Sequence, residues 1–210
     1  MGGFGGITTQ TLITNATITQ SFQGVGPVSN AKVSDIDLID SFTLGGKAGY
    51  YLESKKWLGF EGEVFWSRPN IKQQAINVAA PDANGGQSFA RTLPGKGLNM
   101  TVASLSVLTR DNSMGKFQPY AGVGVGFTYT GYDFVRSTLL TPGLMIQAGG
   151  RYFLDDHLAA FGEFKYFNSE LNYAGISGNF TAQYVVFGLS YHFNQPDKTE
   201  PQGLLTIPGL

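Results

Sequence analysis

Six charged residues lie inside segments of alternating polarity rather than in the polar stretches between them. Three are cations and three are anions: Lys47, Glu61, Glu63, Arg151, Glu163 and Lys165. Successive side chains of a strand point to opposite faces, and in each segment the second face is free of charge. A buried charge is tolerated when it is paired, so this balanced set predicts a buried network of ion pairs. Paired carboxylates also suit acid–base chemistry, but pairing with the three cations explains them more simply.

Two histidines are the other candidates for chemistry. His157 follows Asp155 and Asp156, and His with carboxylates suits several divalent ions. Ser190 lies two residues before His192 on one strand face, which suggests a hydrolase in principle. Side chains at that spacing rarely make an in-line Ser–His contact, and no orienting acid is evident. We therefore predict no catalytic, cofactor-binding or metal site, and no enzyme.

The elements that would position these residues are strands, because apolar residues recur with a period of two and helical stripes are missing. Eight strands are predicted, an even number. They cover about residues 3–12, 42–52, 57–66, 98–110, 117–129, 144–154, 158–167 and 184–193. The alternation in 98–110 breaks near Ser104, which predicts a bulge or another register.

The connections between these strands alternate in length. Short ones cover residues 54–56, 111–115 and 155–157. Long ones cover residues 13–39, 69–97, 131–141 and 168–178. Strict alternation gathers the long connections at one end of an up-and-down barrel, as in outer-membrane barrels with short periplasmic turns.

The amino-acid composition restricts the class of protein further. Charged residues make up 14% of the 210 residues and glycine accounts for 29 of them, against roughly 25% and ~7% in soluble domains. So few charges argue against a water-soluble lipocalin-like barrel, and no apolar run approaches the ~18 to 20 residues of a membrane helix. The net charge of −1 excludes nucleic acid as a partner. Zero cysteines exclude disulfides and thiolate metal sites.

A sheet that crosses lipid must close on itself, because every backbone group needs a partner. Eight strands close around an interior that side chains can fill. We therefore predict an all-β fold, an eight-stranded antiparallel up-and-down transmembrane β-barrel, surrounded by outer-membrane lipid. The first ten residues lack the regions of a signal peptide, so the chain is either cytosolic or already processed, and export favours the second.

Four segments, residues 45–50, 58–63, 119–127 and 187–193, resemble the small eight-stranded outer-membrane β-barrels of the OmpA-like, OmpX-like and opacity-protein type. The last segment is similar to their C-terminal β-signal, which would consist of Phe187, Leu189, Tyr191 and Phe193. The resemblance implies a porin-like barrel in a Gram-negative cell outer membrane with both termini in the periplasm. Its members include adhesins, structural tethers and small channels.

The predicted domains are a barrel over residues 1–193 and a periplasmic tail over residues 194–210. The tail is polar and rich in proline. One interpretation is a disordered extension. The other is that Leu204, Leu205, Ile207 and Leu210 dock in extended form on a partner or on the barrel rim.

These observations predict a structural or interaction role, with a plugged lumen, long loops outside the cell and protein partners reached through the loops or the tail. The alternative is a narrow channel for small or apolar solutes.

Overall fold

The computed structural model describes residues 1–22, 26–79, 88–93, 95–132, 135–173 and 176–193. The described strands are β1 (Gly2–Phe22), β2 (Gly26–Val33), β3 (Ile36–Ile39), β4 (Phe42–Leu52), β5 (Lys55–Ser67), β6 (Asn70–Ile71), β7 (Gln74–Ala79), β8 (Ser88–Leu93), β9 (Lys96–Gly97), β10 (Asn99–Arg110), β11 (Phe117–Tyr132), β12 (Val135–Phe153), β13 (Leu158–Tyr173) and β14 (Ile176–Tyr191). Within these ranges there is no helix of the length and apolarity needed to cross a membrane.

Eight of these strands form a closed ring. Its order is β1, β4, β5, β10, β11, β12, β13 and β14, and each strand runs antiparallel to its neighbours. The ring closes where β14 pairs with β1, from Gly2 opposite Ser190 to Ile18 opposite Ile176. The predicted eight-stranded antiparallel barrel is therefore confirmed. Closure leaves the ring with no free edge, which is the condition for crossing lipid.

The two faces of each barrel strand differ in the way that the period of two requires. On β5, Phe60 and Val64 point outward and are 45% and 55% exposed, whereas Glu61 and Glu63 point inward and are 4% exposed. The outward faces of the other barrel strands are equally apolar, as Val123, Val125 and Leu189 illustrate. An apolar exterior around a polar interior is the arrangement of a barrel in lipid.

The predicted irregularity near Ser104 is wrong. β10 pairs with β5 and with β11 in continuous register along its length. Its inward face carries Met100 and Val102 as well as Ser104 and Ser106. The polarity pattern breaks because the interior changes from polar to apolar along the barrel axis, while the backbone stays regular.

The long connections are largely strand rather than loop. β11 and β12 remain paired as far as Tyr132 opposite Val135, and β13 and β14 as far as Tyr173 opposite Ile176. β1 likewise continues to Phe22, well past the predicted end at residue 12. Polar side chains marked these stretches as loops, but beyond the membrane both faces of a hairpin can meet water while the backbone ladder continues.

The first two long connections fold together into an extension of the barrel. β2 pairs with β1 and β7, β7 pairs with β8, and β3 links β1 to β6 and thereby to β9. We call this group, β2, β3 and β6–β9, the extension. Its buried residues Ile36, Leu38 and Ile71 join the same apolar cluster as Met100 and Phe167 inside the barrel. The extension and the barrel therefore share one core.

At the opposite end the barrel strands are joined by short turns, and we call this the short-turn end. The turn between β12 and β13 is held by Asp155, whose carboxylate accepts hydrogen bonds from the backbone N–H groups of His157 and Leu158, both at 2.7 Å. These two bonds hold the pKa of Asp155 below its usual value. An Asp that binds the backbone in this way is typical of a tight turn.

Candidate functional site in the barrel interior

Five of the six predicted charges form one chain of ion pairs inside the barrel. Lys47 Nζ lies 3.3 Å from Glu61 Oε1 and 2.7 Å from Glu163 Oε2. Lys165 Nζ lies 2.5 Å from Glu163 Oε1 and also contacts Glu63 Oε2. The side chains of all five are almost completely buried. We call this the ion-pair network; it holds two cations and three anions.

The network crosses the barrel from wall to wall. Glu61 and Glu63 belong to β5, while Glu163 and Lys165 belong to β13. In the ring, three strands separate β5 from β13 on either side, so the two strands face each other across the lumen. Ion pairs between them therefore tie opposite walls together.

Three neutral side chains from the intervening strands complete the network. Tyr120 Oη donates to Glu163 Oε2 at 2.7 Å, and Gln147 Nε2 donates to Glu61 Oε1 at 3.0 Å. Ser104 Oγ donates to Glu63 Oε1 at 3.1 Å. These donors were missed at the sequence level, although the period of two on β10, β11 and β12 puts each of them on an inward face. They supply hydrogen bonds that buried carboxylates require.

Arg151 stands apart from the network, which corrects the prediction of a single neutral set of six charges. Its side chain is buried, but none of the described carboxylates lies within ion-pair distance of its guanidinium, and its Nε has no hydrogen-bond partner. The guanidinium carbon lies 5.3 Å from the centre of the Tyr120 ring and 6.0 Å from that of Tyr51. Arg151 is two residues from the end of β12, so it lies nearer the short-turn end than the ion pairs.

Aromatic rings pack against the network. Lys165 Nζ lies 5.0 Å from the centre of the Phe4 ring, and the Phe65 ring meets that of Tyr184 edge to face at 5.0 Å. Toward the extension the interior becomes apolar, with Phe167 seated over two glycines, Gly126 and Gly143. A Cβ on Gly143 would lie 2.6 Å from the Phe167 ring, and one on Gly126 2.8 Å from it. These glycines leave the space that the ring occupies.

A cavity of about 350 Å³ opens at the short-turn end, below the network. Its wall includes Lys47 and Glu61 from the network, together with Arg110, Arg151 and Tyr51. The lumen thus has three levels: this cavity, the ion-pair network with its aromatic rings, and an apolar core continuous with the extension.

The structure brings the two histidines near each other at the short-turn end, where the backbone N–H of His192 donates to the carbonyl of His157 at 2.7 Å. Within the described residues no group of three or more potential metal ligands occurs. Ser190 Oγ lies 3.1 Å from His192 Nε2, a contact that side chains at this spacing rarely make. His192 forms no ion pair with a described carboxylate, and its ring packs 4.9 Å from that of Phe153.

The side chains of the predicted β-signal are all exposed: Phe187, Leu189 and Tyr191 lie on the outward face of β14, and Phe193 follows the strand at the rim of the cavity. Aromatic side chains also mark the outer surface near the strand ends, where Trp57, Tyr152 and Tyr129 are exposed. This is the interfacial position that amphipathic rings favour in membranes. The tail residues Leu204, Leu205, Ile207 and Leu210 lie outside the described residues.

Reversing the charge of Glu61 (Glu61→Lys) is expected to destabilise the barrel by about 1–3 kcal/mol. The new ammonium would lie beside Lys47, and the Gln147 amide would lose its acceptor. Because Glu61 borders the cavity, the longer side chain can partly escape, which limits the loss. The temperature at which the folded, fast-migrating gel band converts to the unfolded one measures the effect. Glu53→Lys, an exposed change in the neighbouring turn, is the control, and equal behaviour of the two variants would contradict the lumen position of Glu61.

A closed antiparallel ring with an apolar outer surface and a buried ionic interior defines a transmembrane β-barrel of the outer-membrane class. The chain belongs, more particularly, to the outer membrane protein beta-barrel domain family, whose model matches residues 6–193. The location in the cell outer membrane and the predicted family are thereby confirmed. In outer-membrane barrels of this kind the short turns face the periplasm.

The solved structures to which the chain is similar have low sequence identity to it. Neisserial surface protein A (NspA) is 11% identical, with 91% of this chain and 97% of that chain covered and a TM-score of 0.50. Outer membrane protein OprG from Pseudomonas aeruginosa is 14% identical over 92% and 96% of the two chains, with a TM-score of 0.41. Outer membrane protein AlkL, determined in DMPC bilayers, is 18% identical over 91% and 87%, with a TM-score of 0.32. No curated protein sequence matches the chain.

Proposed function

We propose that this protein is a non-conducting outer-membrane barrel with a structural or interaction role. The observation that carries the proposal is the ion-pair network, which joins separate walls of the lumen through the pairs Lys47–Glu163 and Lys165–Glu63. An ion that crosses this level must break contacts between buried, paired charges, and that is costly at low dielectric. The apolar core above it offers an ion no replacement for its hydration shell.

The interaction role is assigned to the parts outside the membrane. The extension is a folded, paired structure that shares its core with the barrel, so it can present a fixed surface to a partner outside the cell. The tail over residues 194–210 would bind a partner on the periplasmic side, through its four apolar residues Leu204, Leu205, Ile207 and Leu210. Catalysis is not part of the proposal, because Ser190 and His192 lack an orienting carboxylate among the described residues.

The purified protein, reconstituted in planar lipid bilayers, is expected to give no steady unitary openings across the physiological range of voltage. The same preparation must show the fast-migrating folded gel band, so that silence reflects a plugged barrel rather than failed insertion. A conducting porin inserted under the same conditions serves as the positive control. Steady, voltage-independent openings of uniform size would contradict the plug and favour the narrow channel.

The second candidate function, passage of small apolar solutes, rests on the apolar half of the lumen. Phe65, Met145 and Phe167 line that half, and such a surface would accept an apolar solute more readily than an ion. Uptake of an uncharged apolar fluorophore into vesicles distinguishes this candidate, because it requires no ionic current. Uptake faster than in protein-free vesicles would support it, and equal rates would support the structural role.

A further inference from the structure

The cavity at the periplasmic end has an excess of positive charge in its wall. Four cationic side chains border it, Lys47, Lys56, Arg110 and Arg151, whereas the bordering carboxylates are Glu53 and Glu61. Lys47 and Glu61 are already paired in the network. Of the three other cations in the wall, Arg151 is the most deeply buried.

Arg151 is the member of this set whose charge is least compensated. Its side chain is 4% exposed, its Nε has no hydrogen-bond partner, and no described carboxylate lies within ion-pair distance. A buried charge without a partner is costly, and an arginine stays protonated rather than giving up its charge. The wall therefore contains a buried cation whose charge none of the described carboxylates balances.

Arg110 and Tyr51 provide further hydrogen-bond donors next to Arg151. Arg110 Nε donates to the Lys56 carbonyl at 2.8 Å, and its guanidinium carbon lies 3.8 Å from the centre of the Tyr51 ring. The guanidinium carbon of Arg151 lies 6.0 Å from the centre of the same ring, and the Arg151 side chain also interacts with the buried Tyr51 hydroxyl. Both guanidinium groups thus lie beside the ring of Tyr51. The planar sets of N–H donors in guanidinium groups match the paired oxygens of carboxylate and phosphate.

His192 is another polar side chain in the wall, beside the two arginines. Burial lowers the pKa of His192 to about 3, and the charges of Arg151 and Arg110 act in the same direction. His192 is therefore neutral at physiological pH and adds no competing charge. Its ring nitrogen is engaged with Ser190 Oγ at 3.1 Å.

We propose that this cavity binds a small oxyanion, a carboxylate or a phosphate, that enters from the periplasm, with Arg151 as its principal ligand and Arg110 and Tyr51 as supporting donors. The volume of about 350 Å³ suits a small organic acid or a phosphate ester. The oxyanion has two sources, a free solute or a carboxylate of the chain's own tail, which follows the wall residue Phe193 and contains Asp197 and Glu200.

Nuclear magnetic resonance of the full chain in detergent micelles, labelled with 15N-arginine, tests the proposal. The Nε–H signal of Arg151, identified by its loss in Arg151→Gln, is expected to shift in a saturable way with succinate or inorganic phosphate. Chloride at matched ionic strength is expected to leave it unmoved. The Arg110 signal is expected to follow, and Arg151→Gln to weaken the response of Arg110 by about tenfold. Lys116→Gln, an exposed change at the same end, is expected to bind as the unaltered chain does.

Removing residues 194–210 distinguishes the two sources. If a tail carboxylate occupies the cavity, truncation will itself move the Arg151 signal and strengthen succinate binding. If the ligand is a free solute, truncation will change neither. Both results support an oxyanion site. An Arg151 signal that responds to succinate, phosphate and chloride alike, or that responds to none of them at millimolar concentration before and after truncation, would overturn it.

Discussion

Replacing Glu163 by glutamine is expected to lower the free energy of unfolding of the barrel by about 3 kcal/mol. Glu163 accepts from Lys47, Lys165 and Tyr120, so it is the carboxylate through which the two halves of the network are joined. An amide of the same size has one oxygen and one NH2 group, and the NH2 group would face a lysine ammonium. Because these groups are buried, water cannot replace the lost acceptor.

The measurement is urea unfolding of the protein in lipid vesicles, followed by the fluorescence of Trp57 and Trp66 on β5. Glu170→Gln provides the matched control, since Glu170 is an exposed carboxylate on the same strand as Glu163. Its unfolding free energy is expected to stay within about 0.5 kcal/mol of the unaltered protein. If the Glu163→Gln barrel unfolds at the same urea concentration as the Glu170→Gln control, the network contributes little to stability.

The identity of the inward-facing charges could be predicted because it depends on local geometry. A period of two assigns Lys47, Glu61 and Glu163 to a face once the apolar residues beside them are assigned to lipid. Their pairing partners could not be predicted, because contacts across a barrel depend on ring closure and on the stagger of strands distant in sequence. Lys47 meets Glu163 only because β4 and β13 approach the same level of the lumen.

Two errors have instructive physical causes. Arg151 was grouped with the other charges by face alone, although its place two residues from the end of β12 puts it at the level of the cavity. Residues 131–141 and 168–178 were predicted as loops because their side chains are polar, but the described residues among them, up to 132 and 173 and from 135 and 176, are paired strands. Backbone pairing in a hairpin depends on register with the neighbouring strand and not on lipid. Position along the strand would have corrected the first error, but the sequence offered no signal against the second.

The change with the largest expected effect is Lys165→Met, for which we expect a loss of about 4 kcal/mol. Lys165 is fully buried and contacts Glu63 and Glu163. Methionine fills similar space but leaves two carboxylates facing each other, and Glu63 would keep only the Ser104 hydroxyl among its described hydrogen-bond partners. Breaking a buried pair from one side is more costly than removing both charges.

That asymmetry gives the decisive comparison, a double-mutant cycle with Glu63→Gln. Adding Glu63→Gln to Lys165→Met removes the stranded charge while keeping an oxygen for Ser104. We therefore expect the double variant to regain about 1–3 kcal/mol relative to Lys165→Met. Lys116→Met, an exposed change, controls for the substitution itself. If the two effects simply add, the ion pair contributes no specific coupling; if they couple as expected, the charges act as one interlocked unit, which is the property that a plug across the lumen requires.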